Sequence, residues 1–378
     1  MKRTGYADLA LHGGRAPPWL VGRMEKLASA ILTVIVDEYG VSKVLTRLSD
    51  PLWFQALSCG LAYDWDSSGT TTVVCGVLKT VLAKNKLGLV AAGGKGKRSL
   101  QALDELKKIG ETYGFAGDKV EGFQYASRMT AKVDNSAIQA GYRLYHHTMF
   151  VSNDGEWAVV QQGMNPESRT ARRFHWLSSR VRSYVSEPHE GIVGNIVHPN
   201  VLDMTAKDSE GCRRMCTDLA QESPVKLQRI YQSIRLHDQE SLAKWLPIKP
   251  GPDYVVHYRL HPENMNWDAL RRLYEHKPRN YEEVLAQRGV GPSTVKGLAL
   301  VSQLIYGETP SWKDPVKYSF AFGGKDGVPF PVRRREYDQA IGILMEAVEA
   351  AKLGDRDKLA ALHRLRTYAD KLGIGENA

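Results

Sequence analysis

The chain has 378 residues, of which 43% are hydrophobic and 25% charged, with a formal net charge of +9 and an isoelectric point near 9.2. That balance is ordinary for a water-soluble globular protein and excludes a disordered or low-complexity chain, while the basic excess suits a polyanionic partner. The longest apolar stretch, Leu27 to Val36, is about half of what spans a bilayer, and no apolar signal core follows Met1 to Gly5, so a cytoplasmic protein of two or three domains is expected.

Apolar residues at Leu27, Ala30, Ile31, Val34 and Ile35 have a helical period, and Gly40 supplies a stop. Pro51 suits the first turn of a helix carrying Trp53, Phe54 and Leu57. A polar turn at 64–69 precedes a buried helix over 70–82. Val90 to Ser99 reads as a second glycine-rich turn, and Leu100 to Lys108 as a helix. Residues 130–165 read as β. Asp154-Gly155 between two apolar runs predicts a two-residue type I′ hairpin, which sets His147 opposite Gln162 and Thr148 opposite Gln161. Arg169, Arg172, Arg173, Arg180 and Arg182 form a dense basic stretch. Pro247, Pro250 and Pro252 mark a linker. From Asn266 onward the pattern is helical.

These signals predict an α+β (mixed α/β) N-terminal domain over 1–242 with catalytic potential. A proline-rich linker over 243–265 leads to an all-α C-terminal domain over 266–378. Its segment 280–307 carries the most specific motif. Asn280 and Glu283 approximate a capping box, and Gly289-Val290-Gly291 makes a tight turn with Val290 as an apolar plug. Pro292 then opens a helix whose first N–H groups have no partners within it and form an anion site, supplemented by Ser293, Thr294 and Lys296. The segment resembles the helix-hairpin-helix of DNA repair and recombination proteins. That resemblance implies a sequence-independent grip on DNA phosphates.

Several polar clusters point to chemistry. Asp64 and Asp66, two apart, would share a face of a strand and hold Mg²⁺ or Mn²⁺, with Asp134 or Glu156 as possible additions. His147 or Gln162 would position water. Lys95, Lys97, Arg172 and Arg173 would neutralise phosphate charge, Lys95 within a phosphate-cradling Gly93-Gly94-Lys95-Gly96 loop. Cys212 and Cys216 are expected as free thiols. The favoured function is a metal-dependent nuclease in DNA repair. The alternatives are a DNA glycosylase or lyase using Asp314, and a non-enzymatic structure-specific DNA-binding protein. Leu11-His12-Gly13-Gly14, Asp64-Trp65, Gly93 to Lys97, Val160 to Asn165 with Ala171-Arg172-Arg173, and Ser319 to Gly327 together resemble an uncharacterised prokaryotic domain-of-unknown-function family of archaea and thermophilic bacteria. That resemblance implies no assigned activity.

Overall fold

A computed structural model of the chain describes residues 16–61, 68–194, 196–236, 265–316, 334–351 and 355–371. Four helices come first: α1 (Pro18–Tyr39), α2 (Val41–Ser49), α3 (Pro51–Gly60) and α4 (Gly69–Asn85). Asp50 starts α3, because its Oδ1 accepts the N–H of Leu52 at 2.8 Å and of Trp53 at 3.3 Å, while Pro51 needs no partner. Strand β1 (Leu89–Lys95) leads through a 3-10 turn at Gly96–Gln101 to α5 (Ala102–Tyr113) and α6 (Gly117–Lys132). A π turn (Val133–Ala137) and the short β2 (Ile138–Gln139) follow. Strands β3 (Arg143–Ser152), β4 (Trp157–Asn165), β5 (Thr170–Leu177) and β6 (Gly191–Val193) come next, then β7 (Leu202–Asp203). The remaining helices are α7 (Glu210–Ala220), α8 (Pro224–Leu236), α9 (Trp267–His276), α10 (Tyr281–Ala286), α11 (Pro292–Tyr306), α12 (Arg334–Ala350) and α13 (Asp355–Lys371).

The fold is α+β. An antiparallel sheet in the order β1-β3-β4-β5-β6 is the middle layer. Side chains alternate across a strand, so each strand feeds two cores. Ala91, Phe150, Ala158, Val160 and Leu177 pack with α1–α4, and also with Leu344, Val348 and Leu365 of α12 and α13. Ala92, Met149, Val151, Val159, Phe174 and Trp176 pack on the other face, with α5–α8, with Val284, Leu285, Val295 and Leu298 of α10 and α11, and with Val290 of the turn between them.

The C-terminal helices therefore split between the two layers and share both cores with the N-terminal half. A boundary at 243–265 does not separate two independent cores here. Most of that segment lies outside the described residues.

Three local expectations are corrected. Val90 to Lys95 is strand rather than turn, pairing along its length with β3. The β reading from 130 started too early, because Phe123, Ala126, Met129 and Val133 form a buried helical seam that carries α6 into the π turn. The hairpin register is one residue off. Ser152 N–H donates to Glu156 O at 2.9 Å, leaving Asn153, Asp154 and Gly155 as a three-residue loop with Gly155 at φ +82°. That geometry belongs to the three-residue class of hairpins, not type I′. His147 therefore faces Gln161, and His146 faces Gln162.

Candidate functional site

Three pairs of adjacent polar residues, His146-His147, Gln161-Gln162 and Arg172-Arg173, lie on neighbouring strands. Adjacent residues on a strand point to opposite faces, so each pair sends one member into each layer.

On the α1–α4 face, Gln162 is fully engaged. Its Oε1 accepts from Thr71 Oγ, and its Nε2 donates to Ser68 O at 2.8 Å and to the Tyr145 hydroxyl. Gln162 thus ties β4 to the start of α4, with both of its amide protons donated inside the protein. Arg173 is also buried, with its guanidinium 4.7 Å from the Phe54 ring and donating to Gln55 Oε1 at 3.2 Å and His175 Nε2 at 2.9 Å. On the other face Arg172 and Asp314 form an ion pair of 2.7 Å with both side chains 0% exposed. Neither arginine faces a DNA phosphate. Within the basic stretch, Arg172 and Arg173 belong to β5, which is buried along its whole length, while Arg169, Arg180 and Arg182 lie outside it and are exposed. Asp314 also accepts the His198 N–H at 2.9 Å, so it stands inside the protein with Arg172 rather than in a base-excision pocket.

The glycine-rich strand end differs from a phosphate cradle too. The Gly93 amide donates to Glu105 Oε2 at 2.6 Å, and that carboxylate also holds Lys79 Nζ at 2.7 Å. The Gly93 amide, one of the donors expected to cradle a phosphate, is therefore taken by the protein's own carboxylate. Lys95, Lys97 and Arg98 follow as exposed residues. Lys95 and Arg98 line a pocket of about 650 Å³ with Lys79, Lys84, His146 and Cys75. His146 Nε2 lies 3.0 Å from Thr148 Oγ, and its buried Nδ1 has no partner. Burial, then repulsion from His147 and Lys95, lowers the His146 imidazole to about 3.

The richest constellation faces the α6 layer. Ser127 Oγ lies 2.8 Å from His147 Nε2, and His147 Nδ1 lies 2.8 Å from Gln161 Oε1. Gln161 Nε2 then donates to Asp134 Oδ2 at 2.5 Å. That same oxygen accepts the Trp176 indole N–H at 3.0 Å, and Asp134 Oδ1 lies 2.5 Å from His189 Nε2. Burial raises the Asp134 carboxyl above its usual value, against the opposing pull of His189, Trp176 and Gln161. Burial also lowers the His147 imidazole, opposed by its bond to Gln161. Glu156 joins none of this. It accepts from Ser42 of α2 at the hairpin tip. Asp64 and Asp66 lie outside the described residues. Among the described residues no three metal-ligating side chains cluster.

Ser127 and His147 line a pocket of about 460 Å³ together with Lys132 and with Val290, Gly291 and Pro292 of the α10–α11 turn. Side chains take up the carbonyls of the turn. Lys132 Nζ, on α6, donates to Leu285 O at 2.7 Å, Gln287 O at 2.5 Å and Val290 O at 3.1 Å. Asn266 Nδ2 donates to Gly289 O at 3.0 Å, Arg272 to Arg288 O at 2.9 Å and Gln139 to Pro292 O at 2.9 Å. With its carbonyls engaged, the turn leaves the N-terminal end of α11 without any side-chain cap. Ser293 is exposed and Lys296 half-buried, with burial lowering the lysine. Thr294 is buried, and its hydroxyl oxygen accepts the Asn266 N–H at 3.1 Å, so it braces the turn instead of facing solvent.

Sequence reasoning missed Ser127 and Lys132. Both sit on a helix in a segment read partly as strand, and neither belongs to a recognisable motif.

No described helix is long and apolar enough to cross a membrane. No curated protein and no solved structure matches the chain. The profile of the family described as "Protein of unknown function (DUF763)" matches residues 5–332, and the chain belongs to that family.

Proposed function

We propose that this protein binds DNA through its phosphate backbone at the α10–α11 turn, and that it acts in DNA processing. The observation that carries the proposal is the turn itself. Six carbonyl bonds at the turn go to Lys132, Asn266, Arg272 and Gln139, and the helix N-terminus that follows has no side-chain cap. An uncapped helix N-terminus offers N–H groups and the positive end of the helix dipole to an anion. Exposed Ser293 and Arg288 flank it. Such contacts fix the protein on the strand without reading bases.

Gly291 separates the binding role from the fold. Its φ is −130°, and a Cβ there would meet nothing within 4 Å. A Gly291→Ala substitution therefore leaves the fold intact while a methyl group crowds the phosphate. The expected outcome is at least a tenfold weaker dissociation constant for duplex DNA, with an unchanged thermal melt. Equal affinity in the variant would sink the proposal.

Phosphodiester cleavage is the reaction class the adjoining pocket suits, because Arg128, Lys132 and His147 line it together with the turn. In its metal-dependent form this proposal assigns Mg²⁺ or Mn²⁺ to Asp64 and Asp66. Cleavage of single-stranded, duplex and flap DNA with either metal and with a chelator, comparing wild type with Asp64→Ala, is its test. Binding without any cut would leave a non-enzymatic DNA-binding protein.

A further inference from the structure

The buried chain of side chains from Asp134 to Ser127 has a fixed direction. Trp176 N–H can only donate, so Asp134 Oδ2, which receives it, is an acceptor. The Gln161 atom facing the same oxygen must be its NH₂ group, which turns Oε1 toward His147. An amide oxygen can only accept, so His147 Nδ1 carries the proton. His147 Nε2 is then a lone pair, and the Ser127 hydroxyl 2.8 Å away donates to it. A carboxylate at one end thus sets the tautomer of an imidazole at the other. That arrangement activates a hydroxyl nucleophile when the base is in turn oriented by a third group.

A purely structural network has no need to open on a cavity. This one ends at a pocket large enough for a phosphate ester, facing Gly291 and flanked by the exposed Arg128. Ser127 and His147 are 4% and 5% exposed and line the pocket.

We infer that Ser127 is a nucleophile activated by His147, and that its substrate is a phosphodiester of the strand held at the α10–α11 turn. The substrate half rests on the DNA-binding proposal; the nucleophile half does not. In the first step the Ser127 Oγ–P bond forms and a P–O bond to one sugar oxygen breaks. The electron pair leaves on that oxygen. The serine proton passes to His147 Nε2 and on to the leaving oxygen. Water then attacks the phosphoserine diester, gives a proton to Nε2, and expels Ser127 Oγ, which takes that proton back. One water is consumed per bond cleaved. Gln161 and Asp134 are positioning residues that act through His147.

A fluorophosphonate tests the nucleophile without DNA, since attack on its phosphorus expels fluoride and leaves a stable serine adduct. Full-length protein treated with diisopropyl fluorophosphate is expected to gain one adduct, located at Ser127 by peptide mass. Ser127→Ala should lose the adduct and DNA cleavage while keeping DNA binding. His147→Gln should label at least tenfold more slowly. Gln161→Met should move the acid limb of the labelling rate to lower pH, because its bond to Nδ1 supports the imidazolium. Loss of packing alone does not shift that limb. Absence of an adduct at Ser127, or wild-type labelling in a His147→Gln protein with a native circular dichroism spectrum, overturns the nucleophile. Labelling in a protein that binds no DNA overturns only the substrate, and DNA binding without labelling only the nucleophile.

Discussion

Lys132 shows how one side chain positions the α10–α11 turn. Its ammonium is the shared donor for three carbonyls, and burial lowers it to about 8. Each lost hydrogen bond to a charged donor costs on the order of 1.5–3 kcal/mol net. Because solvent reaches the vacated carbonyls, the sum falls short of the full count. Lys132→Ala is expected to destabilise by about 2 kcal/mol in a denaturant titration and to weaken DNA binding together with it. Gly93 is the second residue where the fold leaves no freedom. Its φ is +91°, and a Cβ would sit 2.2 Å from His147 O. Gly93→Ala should cost about 3 kcal/mol, since strain at positive φ adds to a backbone clash, and its melting temperature checks this. His147 gives a pH prediction. Burial lowers its pKa, so the neutral base that the proposed cleavage requires persists below the usual histidine value of about 6.5. Activity should fall only as pH drops through that lowered value. An acid limb at or above the usual histidine value would contradict the assignment of the base.

At the scale of elements, the α10–α11 hairpin was legible because its signals are local. Asn280 caps α10 through Glu283 N–H at 2.9 Å, Pro292 opens α11, and Val290 is 3% exposed. Capping and turn chemistry act over three or four residues and so are written in the sequence. The β3–β4 hairpin was recognised for the same reason, yet its register slipped. One added loop residue turns His147 from Gln162 to Gln161. A strand has a side-chain period of two, so a shift of one residue changes the partner of every side chain. The buried strand β5 was hidden by its arginines, because composition says nothing of whether a charge finds an aromatic face and a carboxylate inside.

At the scale of the whole molecule, the hairpin is part of a shared core. Val284, Leu285, Val295 and Leu298 pack in one cluster with Met149, Val159 and Phe174 of the sheet. A fragment of residues 266–316 should therefore give a coil-like circular dichroism spectrum on its own. A cooperative melt of that fragment would show an independent domain instead. DNA affinity should depend on salt with a slope of about −2 to −4 in log–log form, as expected for a small number of neutralised phosphates. A slope near zero would mean that the exposed Lys95, Lys97 and Arg98 and the turn do not meet a polyanion.

Caps, turns and helical periods, and with them the hairpin and most of the helices, are legible along the chain because they depend on neighbours a few residues away. Which members of the polar network meet is set by long-range packing. Ser127, His147, Gln161 and Asp134 come from two strands, a helix and a π turn, and their union depends on a strand register, on the alternation of side chains across a sheet, and on a helix laid against it. Those are long-range choices made by burial of both faces of the sheet, and no spacing along the chain encodes them.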